Sequence, residues 1–265
     1  MRSQLIQRIF SSELSNMLAF PIPFWLWRTR QIIQMITSVS IWSAIFSGTS
    51  QAFGYERAEM LVYIILSNFI SFIVISSRSI DLASVVHSGD LSSHLLRPVP
   101  VLQVYFVRDL IDKAMNLFFS FFEVSIIAFL YSVTIPALSL INIALFIPIV
   151  LCSLVMFFFI NVLFGTIGFW SPDIWAPRFL FFTFLFFTAG YLFPPDVFPP
   201  AVFNAIMYTP FPYLLYFPTQ VLQGLLAWSE IVRGGVILLG WTAILGTSSL
   251  LIWRHQLKYY GAEGR

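Results

Sequence analysis

Charge is what this chain has least of. Only 10% of its 265 residues are Asp, Glu, Lys or Arg, against about 25% in an ordinary soluble domain. There is one cysteine, Cys152, inside an apolar run, so no disulfide or thiolate metal site can form within a single chain. Three histidines leave little material for a metal centre. A net charge of +2, thinly spread, gives no footprint for nucleic acid. Strict apolar/polar alternation is missing too, which excludes a lipid-facing barrel. The first twenty residues have no compact apolar core of a cleavable leader. The Lys of a P-loop, a paired-glycine nucleotide fingerprint and a His-Glu-x-x-His zinc pattern are likewise not found.

What is present is oil. The chain is 58% hydrophobic, with 30 Phe and 8 Trp. A globular core cannot hide that much apolar surface, so the solvent is lipid. Backbone polar groups must then be satisfied internally, which leaves helices. The expected fold is an all-α integral membrane protein forming one transmembrane domain over residues 1–265.

Residues 2 to 18 place Leu5, Ile6, Ile9, Phe10, Leu14, Met17 and Leu18 at helical spacing, with Arg2, Gln4, Gln7 and Arg8 opposite. This predicts an amphipathic helix lying in the membrane interface within residues 1–23, ended by Pro21 and Pro23. Trp25, Trp27, Arg28 and Arg30 read as an interfacial belt. Six spans follow, at about Thr29–Ser47, Ala58–Ser79, Ile111–Ser132, Ser139–Phe164, Arg178–Phe193 and Ile231–Trp253. The fifth is marginal in length for a hydrocarbon core of about 30 Å. Residues 194–228 are apolar yet hold seven prolines, which forbids one continuous helix and predicts a re-entrant hairpin of short helices buried in protein or lining a cavity. An ordinary loop resting on the interface is the other reading.

Twelve of the fourteen basic residues fall on the side of the two termini, and only Arg57 and Arg233 lie opposite. The positive-inside rule puts both termini, and the polar segment Asp81–Asp109, in the cytoplasm of a cell whose inner membrane the chain crosses. That segment holds Asp81, His87, Asp90, His94, Arg97, Arg108 and Asp109, a large share of a small inventory. Within it, Asp90 after Gly89 reads as an N-cap. Leu91, Leu95 and Leu96 form an apolar face, and Pro98 and Pro100 stop the turn. A short amphipathic helix here docks a soluble motor or rests on lipid.

Glu123 is the ionisable residue deepest in a span. A centred carboxylate costs about 2.5–3.5 kcal/mol on the insertion scale, and ten large apolar residues between Leu117 and Leu130 offset it by ~3–6 kcal/mol. It is either a proton or substrate contact or a hydrogen-bonding group facing Asn68 or Asn161, since no basic partner is evident in the spans. A lipid-modifying enzyme using Glu123 or the pair His87 and His94, and a proton-coupled secondary transporter using Glu123, are the alternatives to a motor-driven protein.

The ordered set of features resembles a known family. An amphipathic N-terminal helix, six spans, Gly89-Asp90-Leu91 through Leu95-Leu96-Arg97-Pro98 after the second span, and Phe211 to Pro218 with Gly224 before the sixth resemble the membrane subunit of a type-2 ABC exporter of the short stand-alone kind. Ile41 to Phe46 and Leu192 to Pro199 share the likeness. The resemblance implies a dimer of permeases, alike or merely similar, above two ATP-binding cassette subunits. ATP and magnesium are held by those subunits and no cofactor by this chain. It implies that Gly89, Asp90, Leu91, Leu95, Leu96, Arg97 and Pro98 couple to the ATPase. It further implies that Pro210, Phe211, Tyr213 and Pro218, with Glu123, line the path or its outer gate, and that the first, second and fifth spans meet the second permease. Phe-rich spans suit an amphiphilic or lipid-linked cargo.

Overall fold

The computed structural model describes residues 21–77, 79–171 and 173–261, with Ser11 and Ser15. The expected interface helix, and Arg2, Arg8, Arg78 and Arg265, lie outside the described residues.

Among the described residues the architecture is helical apart from one small hairpin. Helix α1 spans Pro21–Ile45, with its prolines in the first turn, where a missing N–H is harmless. A two-residue hairpin follows, β1 Gln51–Ala52 against β2 Tyr55–Glu56, antiparallel with Gln51 opposite Glu56. Its turn is Phe53-Gly54, both at positive φ, as a twisted two-residue turn requires. Helix α2 (Arg57–Val74) comes next, then a 3-10 turn at Ser79–Asp81 and the short α3 (Leu82–His87) and α4 (Leu91–Leu95). The long α5 (Val101–Leu130) and α6 (Leu140–Ile167) follow, then α7 (Trp175–Thr188), α8 (Pro200–Met207), α9 (Tyr216–Gln223) and α10 (Trp228–Leu257).

Among the described residues, four helices are long and apolar enough to cross a membrane: α2, α5, α6 and α10. Helix α1 has the length, at 25 residues, but carries Arg28, Arg30, Gln31 and Gln34 in its first half. Helix α7 is apolar but has only 14 residues, about 21 Å.

Helix α2 is the axle. Nearly every residue from Met60 to Val74 is buried, because α1 and α5 pack on one side and α6 and α9 on another. It separates two cores. One holds Met35, Val39, Trp42, Met60, Ile64 and Ile127 between α1, α2 and α5. The other holds Ile70, Leu154, Phe157, Tyr213, Leu214 and Leu238 between α2, α6, α9 and α10. A third, smaller core gathers Leu82, Val86, Leu91, Val101, Tyr105, Phe158 and Trp253 at one end of the bundle. That end carries most of the described basic residues.

The proline-rich region resolves into α8, α9 and two 3-10 turns. Helix α9 is buried along its length, so its apolar sequence faces protein. Helix α7 stops at Thr188, earlier than Phe193, because Gly190 turns left-handed at φ 89°. A Cβ there would sit 2.3 Å from the Tyr63 hydroxyl. The broken end is satisfied by its neighbours. The Gly190 carbonyl accepts from the hydroxyls of Tyr63 (2.8 Å) and Ser67 (2.6 Å), and the Ala189 carbonyl from the Tyr216 backbone N–H (2.9 Å). Irregular backbone at membrane depth is stable only with such internal partners.

Other boundaries differ from the sequence reading as well, and the first helix already begins at Pro21, ahead of Thr29. Residues 101–109 are not loop but the first turns of α5, since Val101 and Tyr105, four apart, pack into the small core. The second helix ends at Val74, several residues before Ser79.

Candidate docking segment and membrane cavity

Between α2 and α5 the chain leaves the bundle at its basic end. Three polar ties fix the departure. The Lys113 ammonium, buried on α5, donates to the carbonyls of Val74 (3.0 Å), Ile73 (3.4 Å) and Ser76, the unsatisfied C-terminal groups of α2. The buried Asp109 carboxylate accepts from the Ser77 hydroxyl (2.9 Å) and the Ser79 backbone N–H (3.0 Å). The third tie comes from α7, where both terminal nitrogens of Arg178 donate to the Ile80 carbonyl at 3.2 Å.

Helix α3 then packs its start against α6. Gly165 and Gly168 permit this, because a Cβ at Gly168 would lie 2.3 Å from the Ala83 carbonyl oxygen. Gly89, at φ 86°, makes the turn into α4. The expected cap does not form. The Asp90 carboxylate accepts from the Ser88 hydroxyl at 2.7 Å and bonds no backbone N–H of α4, because Asp90 itself sits in the helical region of φ and ψ. The expected single apolar face is also divided. Leu91 is fully buried in the small core, whereas Leu95 is 45% and Leu96 88% exposed. Five residues make little more than one turn, and Leu91 lies on its bundle side. Arg97 and Pro98 are exposed beside the free leucines. His94 lies over Tyr105, ring centroids 6.3 Å apart. Partial burial, then the Arg97 and Arg108 charges, hold its imidazole below the ordinary value, against a smaller opposing pull from Asp90.

Glu123 has the basic partner that the sequence reading lacked. Arg28 is 1% exposed. Its Nε donates to Glu123 at 2.8 Å, one Nη donates to Gln31 (2.9 Å) and Asn116 (2.7 Å), and the other lies 2.5 Å from the carboxylate and 3.5 Å from Ser120. Asn68 and Asn161 instead donate to Ile64 and Phe157 carbonyls one turn back in their own helices. The pair therefore clamps α1 to α5, where Arg28 had been expected in the interfacial belt. The reason is orientation: the Arg28 face of α1 meets the Asn116, Ser120 and Glu123 stripe of α5.

The four expected outer-gate residues lie elsewhere. Phe211 packs on Phe181, ring centroids 5.6 Å apart, and Pro210 is half-buried. Tyr213 is buried, its hydroxyl donating to the Met207 carbonyl (2.9 Å) and its carbonyl accepting from Ser153 (2.7 Å). Pro218 is buried in the first turn of α9. Tyr213 and Pro218 are thus packing residues of the interior, Pro210 and Phe211 are half-buried, and the partner of Glu123 is Arg28. The polar centre of that end is Asp196, which accepts from the hydroxyls of Tyr55 (2.6 Å) and Tyr216 (3.0 Å) and so joins the small hairpin to α9. Burial, reinforced by that carboxylate, pushes the Tyr55 hydroxyl well above its ordinary pKa.

A cavity of about 390 Å³ opens between α1, α2 and α7, and neither Glu123 nor the four outer residues line it. Its wall includes Trp27, Arg30, Gln34, Trp175, Arg178 and Tyr191. The Arg30 guanidinium lies 4.9 Å from the Trp27 ring centre, a cation–π contact. Sequence reasoning missed this site, although a signal exists. Trp27 precedes Arg30, and Trp175 precedes Arg178, by three residues each near the start of a helix, which places each pair on one helix face.

Comparison with known proteins gives two results. No curated protein matches the chain. A family model described as "ABC-2 family transporter protein" matches residues 32–264.

Proposed function

The chain belongs to the ABC-2 family of transporter proteins, and as such it is a multi-pass permease subunit that works with an ATP-binding cassette subunit; we propose that α4 is the piece that receives that subunit's motion. The observation that carries this is the pairing of a buried Leu91 with the exposed Leu95 and Leu96. One leucine fixes the segment to the bundle, and the other two offer apolar surface to water, where an isolated permease gains nothing from them. The Lys113, Asp109 and Arg178 ties make the attachment stiff enough to transmit force.

In this reading the basic end, both termini and α4 are cytoplasmic, the membrane is the inner one, and α1 and α7 add two crossings to the four long helices. ATP and magnesium bind in the partner. Helix α2 is enclosed within the protomer, so the face toward a second permease falls on α1 and α7, whose Ile22, Leu26, Ile33, Phe179, Leu180 and Phe184 are exposed. Transport is outward, and the cargo is amphiphilic or lipid-linked, as the aromatic walls favour.

The test is purification of the tagged chain from its native membrane in mild detergent. A co-purifying P-loop subunit that is lost in Leu95→Asp/Leu96→Asp, with the variant still folded, is the expected result. Retention of that subunit in the variant sinks the docking role of α4. The same preparation reports whether a second permease is present.

A further inference from the structure

The cavity between α1, α2 and α7 carries more chemistry than a lipid-facing dent. Its apolar wall is aromatic: Trp27, Trp175 and Phe179 lie on it, the last two stacked with ring centroids 5.1 Å apart. Its polar wall is dominated by donors. Arg178 spends both terminal nitrogens on the Ile80 carbonyl, and its buried Nε has no hydrogen-bond partner among the described residues. Tyr191 is 3% exposed, and its hydroxyl likewise has no partner among the described residues. Arg30 brings a second guanidinium. An arginine can only donate, and a buried donor left unpaired is costly. What satisfies two such donors beside two positive charges is an oxygen with several lone pairs and negative charge. Among the described residues no Asp or Glu lines the wall; the carboxylate that acts on Arg178 is that of Asp81, next after Ile80 in the chain and off the wall.

Building on the permease reading, we propose that this cavity binds the anionic head of an amphiphile, a phosphate or carboxylate group on an apolar body, with Arg30, Arg178 and Tyr191 holding the head and the tryptophans the body. The geometry adds a consequence. Arg178 touches both the cavity and the Ile80 carbonyl at the root of α3, so occupancy is felt where the docking segment leaves the bundle.

The experiment uses the full chain with the ATPase that co-purifies with it, in phosphatidylcholine nanodiscs. Dodecyl phosphate and dodecyltrimethylammonium, alike in tail and opposite in charge, are titrated against tryptophan fluorescence. The phosphate is expected to saturate and to bind about tenfold more tightly than the ammonium, and Arg30→Gln/Arg178→Gln to lose about that factor. Arg30→Lys/Arg178→Lys is expected to recover part of it, since charge returns without the guanidinium fork. Because Arg178 also supports Ile80, Tyr191→Phe serves as the gentler variant, expected to weaken the phosphate about threefold. Equal binding of the two probes, or full affinity in both the double Gln and the Tyr191→Phe variants, overturns the proposal. Movement of bound dodecyl phosphate across proteoliposome membranes on ATP addition marks the anion as cargo. An anionic lipid that co-purifies at the site and stays put marks it as a resident headgroup; both keep the anion site. If no ATPase co-purifies, the permease mechanism fails instead, and titration of the chain alone still decides the anion site.

Discussion

Arg28 and Arg30 sit two residues apart on α1 and lead opposite lives. Arg28 is buried, with a carboxylate, two amides and a hydroxyl around its guanidinium. Arg30 is exposed, lies over Trp27 and lines a cavity. Two steps along a helix turn the side chain by about 200°, so one residue faces α5 and the other α7. The difference teaches how a lipid-solvated protein divides its few charges. One is consumed in holding helices together, and its neighbour is left available to something that comes and goes. Both fall just before the stretch matched by the family model.

The sharpest way to break the comparison is at Arg28. Arg28→Met removes a buried guanidinium from its four polar partners and leaves the part-buried Glu123 carboxylate unpaired, and is expected to destabilise the chain by about 3–5 kcal/mol. Thermal unfolding in detergent reads this out. Arg28→Met/Glu123→Leu is expected to recover most of it; a double variant as unstable as the single would mean the pair is not the clamp. Next come the leucines of α4. Leu91→Ala is expected to loosen the segment by about 2–5 kcal/mol, while Leu96→Ala leaves stability unchanged and weakens ATPase binding. Stability and pull-down measured together separate the two roles. Gly190→Ala follows, at about 1–3 kcal/mol for a non-glycine residue held left-handed, with a further clash at Tyr63.

A smaller effect is expected from pH. The folded His94 imidazole titrates below its ordinary 6.5, so the unfolded segment takes up a proton first as pH falls. Its contribution is complete above pH 6.5 and is lost as pH drops through the lower folded value. Hydrogen exchange of α3 and α4 amides, corrected for intrinsic rates, is expected to speed up as the pH falls below 6.5, and His94→Gln to remove that trend. The least effect is expected at Arg30 itself: Arg30→Gln is expected to leave the melting temperature where it is, in contrast to Arg28.

How much of this was legible in order? The low charge and long apolar runs dictate a helical membrane protein, and α2, α5, α6 and α10 fall on four of the six expected spans. Seven prolines between residues 194 and 228 dictate broken helices, and α8 and α9 are the short helices that result. Gly89 before Asp90 marked a turn, and its positive φ follows. The site was less legible. Asp90 looked like a cap but bonds Ser88, since its own helical φ and ψ turn the carboxylate away from the N–H groups of α4. Leu91, Leu95 and Leu96 looked like one face, but packing against Trp253, more than 150 residues away, claims the first alone. The Trp-x-x-Arg repeat was visible but had no meaning until α1 and α7 were seen to border one cavity.

The sequence by itself determined the solvent, the helices and their breaks, because burial of apolar area and the geometry of proline and glycine act over a few residues. It also carried the family. The tertiary structure alone decided which charges are spent and which are free. That Glu123 meets Arg28, that Lys113 holds the end of α2, and that Arg178 and Tyr191 border a cavity all depend on how helices are rotated about their axes. That rotation is set by side chains far apart in the chain meeting in the packed interior, and no local pattern encodes it.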